Sequence, residues 1–141
     1  GFGAAAQAAG SGMAVEAVEM RRLRDRLETG LKSATPGVII FGAGQQRLPN
    51  TTLFTHKGLS AETAIIAFDL EAVGVSSGSA CSSGKVNASR VLRAMGFDEG
   101  QAASAIRVSL GPATTEDEVL RFVDAWTARY RKHRARGTQA A

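Results

Sequence analysis

Apolar residues recur at three- and four-residue steps from Met13 through Ala17, Met20, Leu23 and Leu27 to Leu31, while Glu16, Glu19, Arg22 and Asp25 fill other faces. This spacing predicts an amphipathic helix over about residues 13–33. Gly10 and Gly12 are expected to separate it from a short preceding helix, and Pro36-Gly37 to end it. The β-branched run Val38-Ile39-Ile40-Phe41 predicts a buried strand; Gly42, Gly44 and Pro49 mark a loop, and Asn50 to Thr55 reads as a second strand. Ser60 can cap a helix that carries Ile65, Ile66 and Phe68 to about Ala72, after which Val73 and Val75 suggest another short strand. From Ser76 to Gly84 the chain reads SSGSACSSG, which has nothing to bury and no period, and so predicts a loop.

Downstream, Val91, Leu92 and Met95 mark a short helix closed by Gly96, and Asp98 to Ala103 a second one. Ile106, Val108 and Leu110 alternate with Arg107 and Ser109, the pattern of a half-buried strand with the arginine facing away from the core. Thr115 and Glu118 form a capping-box pattern before a last helix whose stripe is Val119, Phe122, Val123, Trp126 and Tyr130. Strands interleaved with helices predict an α/β or α+β domain: a small mixed sheet packed by helices and preceded by a long helix. The connections are too irregular for a doubly wound sheet. The expected organisation is a helical segment over 1–35, a compact domain over 36–133 and a basic, flexible tail over 134–141.

At 141 residues, with 44% hydrophobic and 21% charged positions, the chain has the composition of one globular domain with a modest core. No apolar run approaches the roughly 20 residues needed to span a bilayer. The opening GFGAAAQAAG lacks the basic start and aliphatic stretch of a signal peptide, so nothing argues for secretion. The single cysteine excludes an intramolecular disulfide and a multi-thiol zinc site, which suits a reducing, cytoplasmic location. Much of the net charge of +4 lies in Arg129, Arg131, Lys132, Arg134 and Arg136. A solvated helix end, where basic side chains suit the macrodipole, is the favoured reading. An acidic partner or nucleic acid is the alternative, and only Tyr130 interleaves the cations as a nucleic-acid stacking surface would require.

Cys81 has glycine and serine on both sides, unlike a structural cysteine set among apolar residues. Lys85, Arg90, Arg93 and a helix N-terminus follow it, and positive potential favours the nucleophilic thiolate. From composition alone it is either a reactive group or an inert surface thiol. Arg107, projecting from a short strand, can grip a carboxylate with two parallel bonds or serve in a structural ion pair. His56-Lys57 falls in a loop with nothing nearby to depress the lysine, so a solvated pair is expected. His133 lies in the basic stretch, far from other motifs. No His/Cys/Asp/Glu cluster has metal-ligand spacing, and Gly42-Ala43-Gly44 lacks the third glycine of a dinucleotide loop.

Together these segments resemble one family, the cysteine desulfurases of the class-V aminotransferases, and within it the iron–sulfur and nitrogen-fixation branch. Val75-Ser76-Ser77-Gly78-Ser79-Ala80-Cys81-Ser82-Ser83-Gly84 resembles the family's active-cysteine loop. Ser89-Arg90-Val91-Leu92-Arg93-Ala94-Met95-Gly96 resembles the helix after it. Ile106-Arg107-Val108-Ser109-Leu110-Gly111, with Thr114-Thr115-Glu116-Asp117-Glu118-Val119, resembles the substrate-arginine strand and the last helix. Leu48-Pro49-Asn50-Thr51 and Gly1-Phe2-Gly3-Ala4-Ala5-Ala6 fit a strand start and the opening helix. The resemblance implies the small domain of a fold-type-I pyridoxal-phosphate enzyme that converts L-cysteine to L-alanine. In such enzymes the cofactor serves as an electron sink, and a protein thiolate takes the substrate sulfur as a persulfide. Carried over, Cys81 is that nucleophile and Arg107 holds the substrate carboxylate, with Gly78 and Gly84 as hinges of the loop.

The family's cofactor lysine, its ring-stacking histidine and its aspartate at the pyridine nitrogen have no counterpart here. The chain is therefore expected to be a C-terminal part that begins after the cofactor-binding domain and is inactive alone. The resemblance further implies a homodimer in the intact enzyme and an iron–sulfur scaffold or other sulfur-acceptor protein as partner, with transient cluster ligation by Cys81 left open. Two rivals remain: another class-V lyase or aminotransferase, which has no need of the cysteine loop, and a non-catalytic sulfur-carrier module.

Overall fold

Alanine is the strongest helix former, and Ala4, Ala5, Ala6, Ala8 and Ala9 crowd the start of the chain. The computed structural model, which describes residues 1–79 and 88–139 with side chains as far as 136, accordingly opens on one continuous helix, α1, Phe2–Ala34. The expected break at Gly10 and Gly12 does not occur. Each glycine costs a helix only about 1 kcal/mol relative to alanine, and the flanking alanines outweigh it. Only the C-terminal third of α1 enters the core, through Leu23, Leu27 and Leu31 with Arg24 and Glu28 beside them. Met13, read on the same stripe, is exposed, as are Val15 and Val18. At Gly30 an added Cβ would lie 2.9 Å from Val123 Cγ2, so this glycine is required by the close approach of α1 to the last helix.

Thr35 ends α1, and its buried hydroxyl accepts a 2.9 Å hydrogen bond from Trp126 Nε1. The chain turns at Gly37 (φ +86°) into β1, Ile39–Ile40, and then β2, Thr51–Thr55. Helix α2, Ala61–Leu70, is capped by Ser60 as predicted. The next strand, β3, falls on Ser76–Ser77 and not on Val73 and Val75. Those two valines pack against the core without joining the sheet, whereas the serines meet the backbone of β4, Ile106–Ser109. Between β3 and β4 lie α3, Arg90–Ala94, and α4, Glu99–Ala103, the latter opened by an Asp98–Gln101 capping box.

The sheet order is β1-β2-β4-β3, and every pairing is antiparallel, so the expected mixed sheet is corrected. Among the described residues no two sheet neighbours run parallel, the arrangement that would require a strand–helix–strand crossover.

Helix α5, Glu116–Gln139, continues straight through the stretch expected to be a tail from residue 134. Its start is the predicted box: the Thr115 N–H and hydroxyl both donate to Glu118 Oε2, at 2.8 and 3.0 Å, and these bonds hold the Glu118 carboxyl below its usual range. A depressed carboxylate stabilises the fold above the ordinary carboxylate range and loses that contribution as pH falls through the lowered value. The predicted stripe of α5 is buried throughout. It meets Phe54 and Phe68 in an aromatic cluster, with Phe54 edge-on to Trp126 at 4.9 Å and Phe68 stacked on Phe122 at 5.2 Å.

The helices α1, α2 and α5 thus cover one face of the sheet. Among the described residues the opposite face is covered toward one end, where Phe41, Leu92, Ala102 and Ala105 form a second cluster with Ile39, Leu53 and Phe97 packed on it.

Candidate functional site

Alternation along β4 places Ile106 and Val108 in the core and leaves Arg107 and Ser109 exposed on the sparsely covered face. Arg107 lies between its Cα partners Leu53 on β2 and Ser76 on β3. It makes no ion pair or hydrogen bond among the described residues, so the structural salt bridge considered for it is not formed there. The strand beneath it is held past its end. Leu110 N–H donates to the Asn50 carbonyl at 2.8 Å, and Asn50 Nδ2 donates back to the Leu110 carbonyl at 3.1 Å. A free guanidinium on a fixed strand is suited to receiving a carboxylate through two charge-assisted bonds.

The segment carrying the cysteine leaves the sheet directly beside this arginine. Ser77 Oγ donates to the Ser79 carbonyl at 2.9 Å, and Gly78 N–H donates to the Ala105 carbonyl at 2.7 Å. Chain and sheet approach so closely here that a Cβ on Gly78 would stand 2.6 Å from the Ala105 Cβ and 3.3 Å from Leu53 Cδ1. Gly78, expected as a hinge, is therefore a tethered position, and glycine is needed for contact rather than for rotation. The returning segment is tied to the same place. Ser89 is buried, its N–H donates to the Ala102 carbonyl at 3.2 Å, and its hydroxyl caps α3. Both ends of the segment are thus hydrogen-bonded to carbonyls three residues apart, Ala102 at the end of α4 and Ala105 just before β4. Cys81 itself, with Ser82, Ser83, Gly84 and Lys85, lies outside the described residues. Arg90 and Arg93, expected to favour its thiolate, are exposed on α3.

Sequence reasoning missed Ala102, Ala105 and Ser76 as the residues that hold this segment. The available signal was size: only a small side chain at 105 admits Gly78 so close. Gly78→Ala is expected to lower stability by about 1–3 kcal/mol through overpacking. Adding Ala105→Gly to that variant should recover most of the loss in denaturant unfolding. No recovery would mean that the tether does not act through this contact.

The other expected residues fall elsewhere. His56 is half-buried: its Nε2 bonds the Pro36 carbonyl at 3.2 Å, and its ring stands edge-on to Tyr130 at 5.0 Å. Lys57 is exposed. His133, expected to be remote from other motifs, packs against the turn at Gly58, where an added Cβ would lie 2.9 Å from its Nε2. Pyridoxal phosphate needs a lysine in an enclosed site with a carboxylate for the ring nitrogen. The described lysines Lys32, Lys57 and Lys132 are all exposed, so the described residues do not make such a cradle.

Residues 1–122 match the model of the family described as aminotransferase class-V. A cysteine desulfurase of Sinorhizobium fredii is 38% identical over 137 residues, covering 95% of this chain and 35% of that protein. The cysteine desulfurase IscS of Edwardsiella ictaluri is 42% identical over 124 residues, 88% of this chain and 30% of that protein. The crystal structure of a NifS-like protein from Rickettsia africae superposes with a TM-score of 0.74 at 34% identity, over 85% of this chain and 30% of that one. The chain therefore spans about a third of the length of the curated relatives it matches.

Proposed function

The chain belongs to the class-V aminotransferase family, and from that premise we propose that the complete protein is a cysteine desulfurase of which this chain supplies the sulfur-accepting thiol and the substrate arginine. The observation that carries the reading is Arg107, an exposed cation without a partner among the described residues, in register with Ser76 where the cysteine segment departs. Two residues separate the Gly78 tether from Cys81, so chain connectivity alone keeps the Cys81 Cα within about 11 Å of that point. A carboxylate held at Arg107 and a thiol leashed beside it can address one amino-acid substrate from two sides.

The transformation balances as L-cysteine plus the Cys81 thiol giving L-alanine plus a Cys81 persulfide. The substrate C–S bond breaks, an S–S bond forms, and the sulfur then passes to an acceptor protein. A pyridoxal phosphate bound by the complete protein would supply the electron sink that weakens the C–S bond. The work of this chain is to bind the carboxylate, present the thiol and return it to the acceptor. The similarity to proteins named cysteine desulfurase supports this reading over another class-V lyase.

The test is a single turnover of the complete, cofactor-loaded protein with L-cysteine. Alanine should appear in one-to-one ratio with a one-sulfur mass increase on the peptide containing Cys81. Alanine without that mass increase would remove Cys81 from the reaction, and no alanine would remove the activity.

Arg107→Ala should raise KM for L-cysteine by about 10- to 150-fold, the loss of hydrogen bonds to a charged group worth about 1.5–3 kcal/mol. The cofactor absorbance should not change, and Arg107→Lys should fall between. An unchanged KM would exclude Arg107 from the substrate site.

A further inference from the structure

Arg129, Lys132, His133 and Arg136 follow one another on α5 at three- and four-residue steps, so they share one face of the helix. That face and the start of α2 enclose a cavity of about 370 Å³, a size typical of small-molecule sites. Its walls differ in chemistry. Leu59, Ala64, Ala67 and Trp126 make an apolar side; Lys132, His133 and Arg136 make a cationic one, and Thr63 adds a hydroxyl. No Asp or Glu is among the described residues lining it.

The cations are not all accounted for by the fold. Arg129 is engaged: it pairs with Glu71 at 2.6 Å and lies over the Phe68 ring at 4.8 Å. Lys132 and Arg136 make no ion pair or hydrogen bond among the described residues. A helix C-terminus favours cations within its last turn, which accounts for Arg136. Lys132 stands about two turns before Gln139, beyond that influence. Placing it four residues from Arg136 sets two like charges side by side, at a cost to the helix. His133 packs beside Gly58, where an added Cβ would lie 2.9 Å from its Nε2.

We infer that this cavity is a binding site for a small phosphate monoester, its phosphate held by Lys132, Arg136 and the Thr63 hydroxyl and its apolar body against Leu59 and Ala67. A phosphate offers three acceptor oxygens to match two cations and a hydroxyl, where a carboxylate offers two. The site rests on features separate from Arg107 and the cysteine segment.

Phenyl phosphate, titrated calorimetrically into the complete protein with its cofactor already bound, is the test. It should bind saturably, at least tenfold more tightly than benzoate, while phenol, which has the body without the charge, should not bind. Lys132→Gln combined with Arg136→Gln should weaken phenyl phosphate at least tenfold with the melting temperature unchanged. A matched loss of charge outside the cavity, Arg21→Gln with Arg93→Gln, should leave the affinity as it was. No saturable binding, equal binding by the cavity variant, or equal weakening by the matched variant would overturn the site. An acidic peptide that binds where phenyl phosphate does not, and is lost in the cavity variant, would overturn it in favour of a protein partner.

Discussion

Cys81→Ser in the complete protein is expected to abolish persulfide formation and to reduce alanine release by at least about a thousandfold, the scale on which enzymes lose rate when their nucleophile is removed. The reason is chemical. Sulfur transfer needs a group that attacks a sulfur atom and then keeps it in a bond weak enough to hand on. A thiolate does both, and a serine hydroxyl does neither at neutral pH. No other thiol in the chain can substitute, because Cys81 is its one cysteine. The variant should still bind cofactor and L-cysteine, since Arg107 and its strand are untouched. That combination, full cofactor absorbance with substrate binding and no persulfide, separates the loss of a nucleophile from the loss of a fold. Turnover retained in the serine variant would sink the assignment of Cys81 and favour a lyase that releases sulfide directly.

The parts of the site that could be read beforehand are those where one residue's side chain decides its own environment. Ile106-Arg107-Val108-Ser109 alternates strictly, and alternation on a strand fixes which side chain faces the core, so the exposure of Arg107 was legible. The α5 stripe and its Thr115–Glu118 box were legible for the same local reason. What was not legible is set by partners distant in sequence. Ser76–Ser77 have no strand propensity to advertise, and they pair because Arg107 and Ile106 offer backbone groups beside them. Val73 and Val75 have that propensity and use it for packing instead. The continuity of α1 across two glycines came from summed alanine propensity, which a search for breakers overlooks. The tether of Gly78 to Ala105 requires knowing which two segments meet.

The buried charge on α1 was within reach of sequence reasoning and yields the second large effect. Residues 24, 27, 28 and 31 share one helical face, so a reading that puts Leu27 and Leu31 inside must also put Arg24 and Glu28 near them. Glu28 is 6% exposed. Its carboxylate accepts both terminal nitrogens of Arg47, at 2.7 and 2.9 Å, and the Thr52 hydroxyl at 2.9 Å. Arg24 donates to the Leu48 carbonyl at 3.0 Å, gripping the same approach to β2. These contacts set where β2 begins, and β2 is the strand that carries Leu53 beside Arg107.

Glu28→Ala leaves a mostly buried guanidinium and a buried hydroxyl without their acceptor and should cost about 3–5 kcal/mol in denaturant unfolding. The comparison that isolates the cause is Glu28→Leu with Arg47→Met. Removing both charges together should recover most of the loss, because the penalty lies in stranding one partner, not in lacking the pair. If the double substitution is as unstable as Glu28→Ala, the ion pair itself, and not an orphaned charge, is what holds the helix to the sheet. If Glu28→Ala costs less than about 1 kcal/mol, the pair is as weak as one on the surface, and the register of β2 must rest on the Arg24 contact and the Asn50 clamp instead.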